Sequence, residues 1–519
     1  MGLFGKFFTV GGATLASRFL GFAREMLIAS VLGAGPVADA FYAAFRFPNL
    51  FRRLFAEGAF NSAFVPMFSS ELETGDRLQA KQFAETVLSY LVVILIILTA
   101  AAEIAMPWLV GTIIAPKFAA NAEKFDLTIE LTRVMFPYLF CMSMVAMLSG
   151  ILNSLRQYFV AAIVPVMLNI ILVGALLVAH YLKLEPFSVG RVLAWGVMAA
   201  GFVQMGLLYI AARQQGFALK LRRPRASKKV KKLLILALPL ALTGGITQIN
   251  LLVGQIIASA QDGAIAILNY ADRVYQLPLG VVGIAIGVVL LPELTRALAS
   301  SNEREVQKLQ SKSLEFALML TLPAAVGLFF LPIPIVAILY ERGAFVPETT
   351  LLTASALAAF AVGLPSFVLQ KVFQPTYFAR FNMKAPMWFA ACSAITNIVG
   401  SLLLFPIYGH VGIAISTSIA GWVNAILLIS GLLVGANYIF TRPTIMILVK
   451  IILASAVMGF GLYLSIDLTT ELMAGNGLFV RLIILLAVIA GGAVLYFGLL
   501  MASGALKISE LRSMLFRRQ

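Results

Sequence analysis

The sequence predicts an all-α polytopic membrane protein of about fourteen transmembrane helices: two six-helix lobes related by a parallel repeat, plus two extra C-terminal helices. Three observations predict it. Of 519 residues, 61% are hydrophobic and only 12% are charged, with a mean hydropathy of +0.96; a soluble chain carries about twice that charge. About fourteen apolar stretches of spanning length fill the chain and leave no room for a large soluble domain. Residues also recur at one offset: Pro137 and Asn169 are followed 228 residues later by Pro365 and Asn397, and Arg156 by Lys384.

Apolar windows place the first helix at 3–33 and the second at 38–66. The first follows a single lysine, Lys6, with no small-residue cleavage site after a short apolar core, so it reads as a retained helix and not a signal peptide. These two segments hold most of the charge that lipid excludes: Arg18, Arg24, Glu25, Asp39, Arg46, Arg52, Arg53 and Glu57. An ionisable group near the bilayer centre costs roughly 2.5–3.5 kcal/mol on insertion scales, so such groups face a bundle interior or a wet cavity. Arginines around a cavity hold an anion.

Helices three to six follow at 86–113, 131–152, 158–182 and 188–213. From Arg213 to Lys232 the chain carries cations and no acid, which marks the linker between lobes. Helices seven to twelve, at 231–258, 266–294, 313–339, 349–375, 385–406 and 411–435, repeat the first six. An even number of helices separates the halves, so both share one orientation, the plan in which a transporter's substrate site lies between halves near the midplane. Ala38-Asp39 before Pro48 and Ala271-Asp272 before Pro278 are a second, looser echo. Helices thirteen and fourteen, at 444–467 and 478–503, are left over. The expected organisation is an N-lobe at 1–213, a basic cytoplasmic linker at 214–232, a C-lobe at 233–435, and helices thirteen and fourteen with a basic tail at 436–519.

Orientation follows from the loops. Cations recur in alternate ones, at Arg77 and Lys81, Arg156, Arg304 and Lys308, Arg380 and Lys384, and Arg442 and Lys450, while Asp262, Glu341 and Asp467 mark the others. The positive-inside rule puts both termini in the cytoplasm. It also absorbs the net charge of +16, so nucleic acid is not an expected partner. Cys141 and Cys392 lie in apolar runs and read as packing residues without a disulfide framework. His180 and His410 have no metal-ligand spacing around them.

Ser17 and Arg24, seven apart, share a helix face, with Gly21 near it for close approach. Arg18 points elsewhere, nearer Glu25, and is read either as a ligand contact or as a structural pair. Asp39, Arg46, Arg53 and Glu57 form one stripe, read as charge pairs that lock the second helix, with Arg53 and Glu57 at i,i+4 spacing. Arg52 lies off that stripe beside Asn49, and the sequence offers it no acid three or four residues away. Asp272 and Arg273 are the matching charges of the second lobe, on a helix made bendable by Pro278, Gly280, Gly283 and Gly287. Arg24, Arg52 and Arg273 would suit a diphosphate, because each guanidinium can hold two oxygens at once. No catalytic constellation or phosphate-cradling loop occurs, so a transporter and not an enzyme is expected.

The run Ser17 to Arg24, then Gly33-Ala34-Gly35, Ala38-Asp39-Ala40-Phe41, Phe47 to Phe60 and Phe64-Val65-Pro66, resembles the MurJ family of bacterial lipid II flippases, within the multidrug/oligosaccharidyl-lipid/polysaccharide exporter superfamily. Tyr270-Ala271-Asp272-Arg273 through Gly287, with Leu291-Pro292, is similar again. The resemblance covers essentially the whole chain. It implies a cationic central cavity and a groove on the last two helices for a polyprenyl tail. It also implies transfer of lipid II from the cytoplasmic to the periplasmic leaflet of the bacterial inner membrane, by a monomer whose other contacts are membrane lipids. Family cavity arginines fall on Arg18, Arg24, Arg52 and Arg273, and family acids on Asp39 and Asp272. Where the family often has a glutamate one turn after the latter, this chain has Gln276, so a proton or cation role for that carboxylate does not carry over.

Some relatives hold sodium with aspartates on helices seven and eleven; the nearest residues here are the neutral Asn250 and Asn397. No cofactor is implied beyond coupling to the membrane potential or a monovalent ion. The alternatives are another exporter of the superfamily, for O-antigen or drugs, and a membrane-embedded glycan polymerase that would need Glu123, Asp126 or Glu130 as its carboxylate.

Overall fold

A computed structural model describes residues 3–53, 60–74, 76–224, 227–300 and 302–506, with side chains from residue 11 onward except 238–244, 246–247, 281 and 283–289. Among the described residues the chain is helices and turns without strands. The helices are α1 (Leu3–Leu32), α2 (Pro36–Phe51), α3 (Asn61–Thr74), α4 (Arg77–Leu109), α5 (Ala122–Met135), α6 (Tyr138–Ser154), α7 (Tyr158–Tyr181), α8 (Pro186–Gln214) and α9 (Lys228–Ala258). Then come α10 (Ala264–Ala299), α11 (Glu303–Phe330), α12 (Pro332–Tyr340), α13 (Pro347–Ala379), α14 (Lys384–Tyr408), α15 (His410–Val434), α16 (Arg442–Leu464), α17 (Ile466–Met473) and α18 (Leu478–Ala502).

Ten helical segments among the described residues are long and apolar enough to cross a membrane. The other four expected spans fall on α1, on α2 with α3, on α9 and on α10, each of which includes residues or side chains outside the description. The expected helix at 38–66 holds α2 and α3, with 54–59 outside the description. Two other expected single helices are divided. That at 131–152 begins earlier, at Ala122, where the Asn121 side chain caps Lys124 N–H, and breaks before Pro137, which has no N–H to continue the ladder. That at 313–339 begins at Glu303, capped by Asn302, and breaks at Leu331, with Pro332 starting α12.

The chain forms two compact units, Met1–Ala266 with Arg342–Phe345, and Ile267–Glu341 with Val346–Gln519. In the first, α1 packs on α7, α2 on α5 and α8, α6 and α7 on α8, and α3 on α4, α6 and α9. In the second, α13 packs on α11 and α15, α14 on α15, and α16 on α11 and α18. Leu331, Ile451, Met458, Leu462, Leu485, Tyr496 and Leu500 form the core beneath α16 and α18. The opposite faces of those two helices expose Ile452, Leu453, Phe460, Phe479, Leu486 and Val494. Helices apolar on the outside as well as the inside belong in lipid.

Helix ends record the repeat in their hydrogen bonds. After α6, Gln157 N–H bonds Leu152 O and Arg156 N–H bonds Asn153 O, with Arg156 at φ 62°. After α13, Asn382 N–H bonds Tyr377 O and Phe381 N–H bonds Phe378 O, with Phe381 at φ 59°. A second pair closes α8 and α15: Phe217 N–H to Ala212 O with Gly216 at φ 86°, and Asn437 N–H to Leu432 O with Ala436 at φ 51°. Each is the left-handed C-terminal cap that satisfies orphan carbonyls.

Two glycines fix a contact in the first unit. Ala344 N–H bonds Ser30 O at 2.8 Å. A Cβ on Gly343 would stand 2.2 Å from Ser30 O, and one on Gly33 would stand 2.4 Å from Ala344 O. Both glycines have φ near +60°, which costs an L side chain about 1–2 kcal/mol. Gly343→Ala is therefore expected to lower the unfolding temperature in detergent, whereas alanine at Gly174, which faces open space, changes it little. Equal melting temperatures for the two variants would contradict the contact.

Candidate functional site

One cluster of polar and charged groups in the first unit lies where α1 meets α7. Gly21 faces Asn169, where a Cβ would meet Nδ2 at 3.5 Å, an ordinary contact, so the expected need for glycine at a close approach does not arise there. The Asn169 amide donates to Ser17 O at 3.0 Å and lies 3.5 Å from Ser17 Oγ. Its Oδ1 accepts from Arg24 Nη1 at 3.0 Å. The expected common face of Ser17, Gly21 and Arg24 is thus real, and Asn169 reads it.

Arg24 is only 6% exposed. Its Nη2 pairs with the buried Glu25 carboxylate, which also accepts from Tyr42 Oη at 2.6 Å. The expected Arg18–Glu25 pair is corrected: Glu25 serves its chain neighbour Arg24, and Arg18 is exposed. Arg24 thus bridges Asn169 of α7 and Glu25 of its own helix. Arg24 Nε is buried with no hydrogen-bond partner. A buried orphan donor costs about 1–3 kcal/mol, and here it belongs to a group that can grip two oxygens.

Asp39 is fully buried. It accepts from Lys124 Nζ at 2.7 Å, Gly263 N–H at 2.7 Å and Ala266 N–H at 3.0 Å. Lys124 also reaches Asp262 at 2.9 Å and sits 4.0 Å over the Phe118 ring. Asp39 thus ties α2 to a neighbouring helix, α5, as a charge that locks the second helix would. A carboxylate at the first backbone N–H groups of a helix complements the positive end of its dipole. Asn49 accepts from Arg52 Nε at 3.0 Å and donates to Phe45 O at 2.8 Å, so the expected neighbours are in contact. Arg53 is exposed, and Glu57 lies outside the described residues.

In the second unit, Gln276 on α10 donates to the carboxylate of Asp272, one turn earlier. Two carboxylates at that spacing would repel, whereas an amide donor gives Asp272 a hydrogen-bond partner. Arg273, next to it, is half-buried. Asn397 accepts from Thr417 at 3.3 Å within α14 and α15, while Asn250 is half-buried on α9 of the first unit. Among the described residues no three His, Cys, Asp or Glu side chains gather to hold a metal ion.

Sequence reasoning missed Asn169, Tyr42 and Lys124 as parts of these clusters. The signal for Asn169 was its pairing with Asn397 in the repeat. Lys371, exposed within the span Pro347–Ala379, is an intramembrane cation that was also passed over. Glu130, one of the three carboxylates a polymerase reading would draw on, is clamped by Arg191 at 2.7 and 3.0 Å. Among the described residues of these clusters no nucleophile and base are in contact.

The sequence matches the family model described as lipid II flippase MurJ over residues 28–484. A probable lipid II flippase MurJ of Rhizobium tropici is 51% identical over 481 residues, 92% of this chain and 89% of that protein. One from Rhizobium meliloti (strain 1021) is 49% identical over 513 residues, 99% of this chain and 96% of that one. A solved structure of lipid II flippase MurJ in an inward closed conformation superposes with a TM-score of 0.76 at 25% identity, covering 95% of this chain and 99% of that one.

Proposed function

The chain belongs to the MurJ family of lipid II flippases, and from that premise we infer that it is a transporter of lipid II and not an enzyme. The substrate is the undecaprenyl-diphosphate-linked precursor of peptidoglycan, carried from the cytoplasmic to the periplasmic leaflet. The match of the family model across 28–484 carries this reading. Arg24, Arg52 and Arg273 are the proposed diphosphate ligands, with Ser17, Asn49 and Arg18 as further contacts. The polyprenyl tail would stay in lipid along α16 and α18, whose outer faces are apolar.

The protein is polytopic in the membrane. We place it in the bacterial inner membrane as a monomer with both termini cytoplasmic, working by alternating access. An inside-negative potential favours outward movement of negative charge by about 2.3 kcal/mol per charge per 100 mV, so the potential, or a monovalent ion, is the proposed source of energy. Depletion of the protein from growing cells tests the reading. Lipid-linked precursor is expected to accumulate and to stay inaccessible from the periplasmic side; periplasmic exposure at the undepleted rate would reject it.

A further inference from the structure

The chain leaves α8 as an extended segment that docks on α4, at the membrane face where α8 ends and α4 begins. Phe217 and Leu219 are buried, whereas Leu221 between Lys220 and Arg222 is 67% exposed. Phe217 packs edge-on against Phe68 at 5.6 Å. Two backbone donors of the segment then end on α4 side chains: Lys220 N–H on Glu85 Oε1 at 3.2 Å, and Arg222 N–H on Ser89 Oγ at 2.9 Å. The Glu85 side chain is 1% exposed and is neutralised by the Arg222 guanidinium, itself 54% exposed.

The second unit makes the same kind of contact with different chemistry. After α15, Tyr438 is buried with its hydroxyl 3.3 Å from Ser311 Oγ of α11. Ile439 N–H donates to Gln307 Oε1 at 3.1 Å, and the Gln307 amide donates back to Ile439 O. That attachment is neutral and reciprocal. The first attachment rests on a buried carboxylate whose counter-charge is half in water, so undocking hydrates both charges and strands neither.

Docking also sets a length. With Arg222 held, five residues separate it from the start of α9 at Lys228, a reach of about 20 Å at full extension. Freed back to the end of α8, the tether would reach about 45 Å. We propose that Phe217–Arg222 is a releasable strap whose docking on Glu85 and Ser89 limits the travel of α9 during transport. The transport part rests on the flippase reading.

The test uses Ser89→Cys with Arg222→Cys in a Cys392→Ser background, purified into phospholipid vesicles with fluorescent lipid II. The oxidised, cross-linked form is expected to flip lipid about tenfold more slowly than the same protein reduced, with recovery on adding dithiothreitol. Equal rates in the two forms, or a pair that never cross-links, would overturn the strap. A Cys392→Ser control that does not flip lipid II would instead reject the flippase reading. In that event a substrate-free measurement decides the strap: in Leu219→Cys, release predicts maleimide labelling well above that of the buried Cys141, accelerated further by Glu85→Gln. Protection equal to that of Cys141, unchanged by Glu85→Gln, would count against it.

Discussion

Replacing Arg24 by alanine is expected to abolish lipid II transport, lowering the rate by at least about a hundredfold. Arg24 spends Nη1 on the Asn169 amide oxygen and Nη2 on Glu25; alanine forfeits both together with the unspent Nε donor, whose charge-assisted bond to a phosphate oxygen is worth about 1.5–3 kcal/mol. Alanine also strands Glu25, which is buried and keeps Tyr42 among its partners, so part of the loss will be in folded protein. Arg24→Lys separates the two effects. It keeps the charge beside Glu25 but lacks the planar fork, so it should melt near wild type and still transport poorly. Flipping of fluorescent lipid II in vesicles, read beside thermal unfolding in detergent, checks both. Wild-type rates in either variant would remove Arg24 from the diphosphate site.

The second large effect is on stability. Lys124→Met leaves Asp39 buried without its cation, and breaking such a pair costs about 3–5 kcal/mol. The two backbone donors from Gly263 and Ala266 remain, which holds the cost within that range. Adding Asp39→Asn should recover part of the loss, because a neutral amide needs no counter-charge while still accepting a bond. A melting temperature unchanged in Lys124→Met, or a double variant less stable than the single, would show that the pair does not hold the fold.

The helices were largely legible because lipid demands long apolar runs. Their ends were not. α4 begins at Arg77, well before the apolar window at 86, and its Glu85 meets Lys220 N–H and Arg222 instead of lipid. α5 and α11 likewise start at asparagine caps that a hydropathy window does not see. In the site, local periodicity found what lies on one helix, Ser17 with Arg24 and Asn49 with Arg52, while Gln276 beside Asp272 came from the family resemblance. Periodicity failed wherever the partner is distant in sequence. Lys124 is 85 residues from Asp39 and Asn169 is 145 from Arg24, and no spacing rule reaches that far. The Arg24–Glu25 pair failed differently, since adjacent residues point about 100° apart on a helix and only a tertiary contact turns both side chains to one spot.

The duplicated caps bear on how the two halves have drifted. Arg156 and Phe381 stand 225 residues apart, but Gly216 and Ala436 only 220. Part of that shortening is in the last helix of each trio: α8 has 29 residues and α15 has 25. Four residues are close to one 3.6-residue turn, so a deletion of that size leaves every remaining side chain on nearly its former bearing. Lineages can therefore trim or extend such rods in whole turns while keeping buried sides buried. A ruler of constant period laid along the sequence will drift out of step, whereas one pinned at the left-handed stops will keep its place.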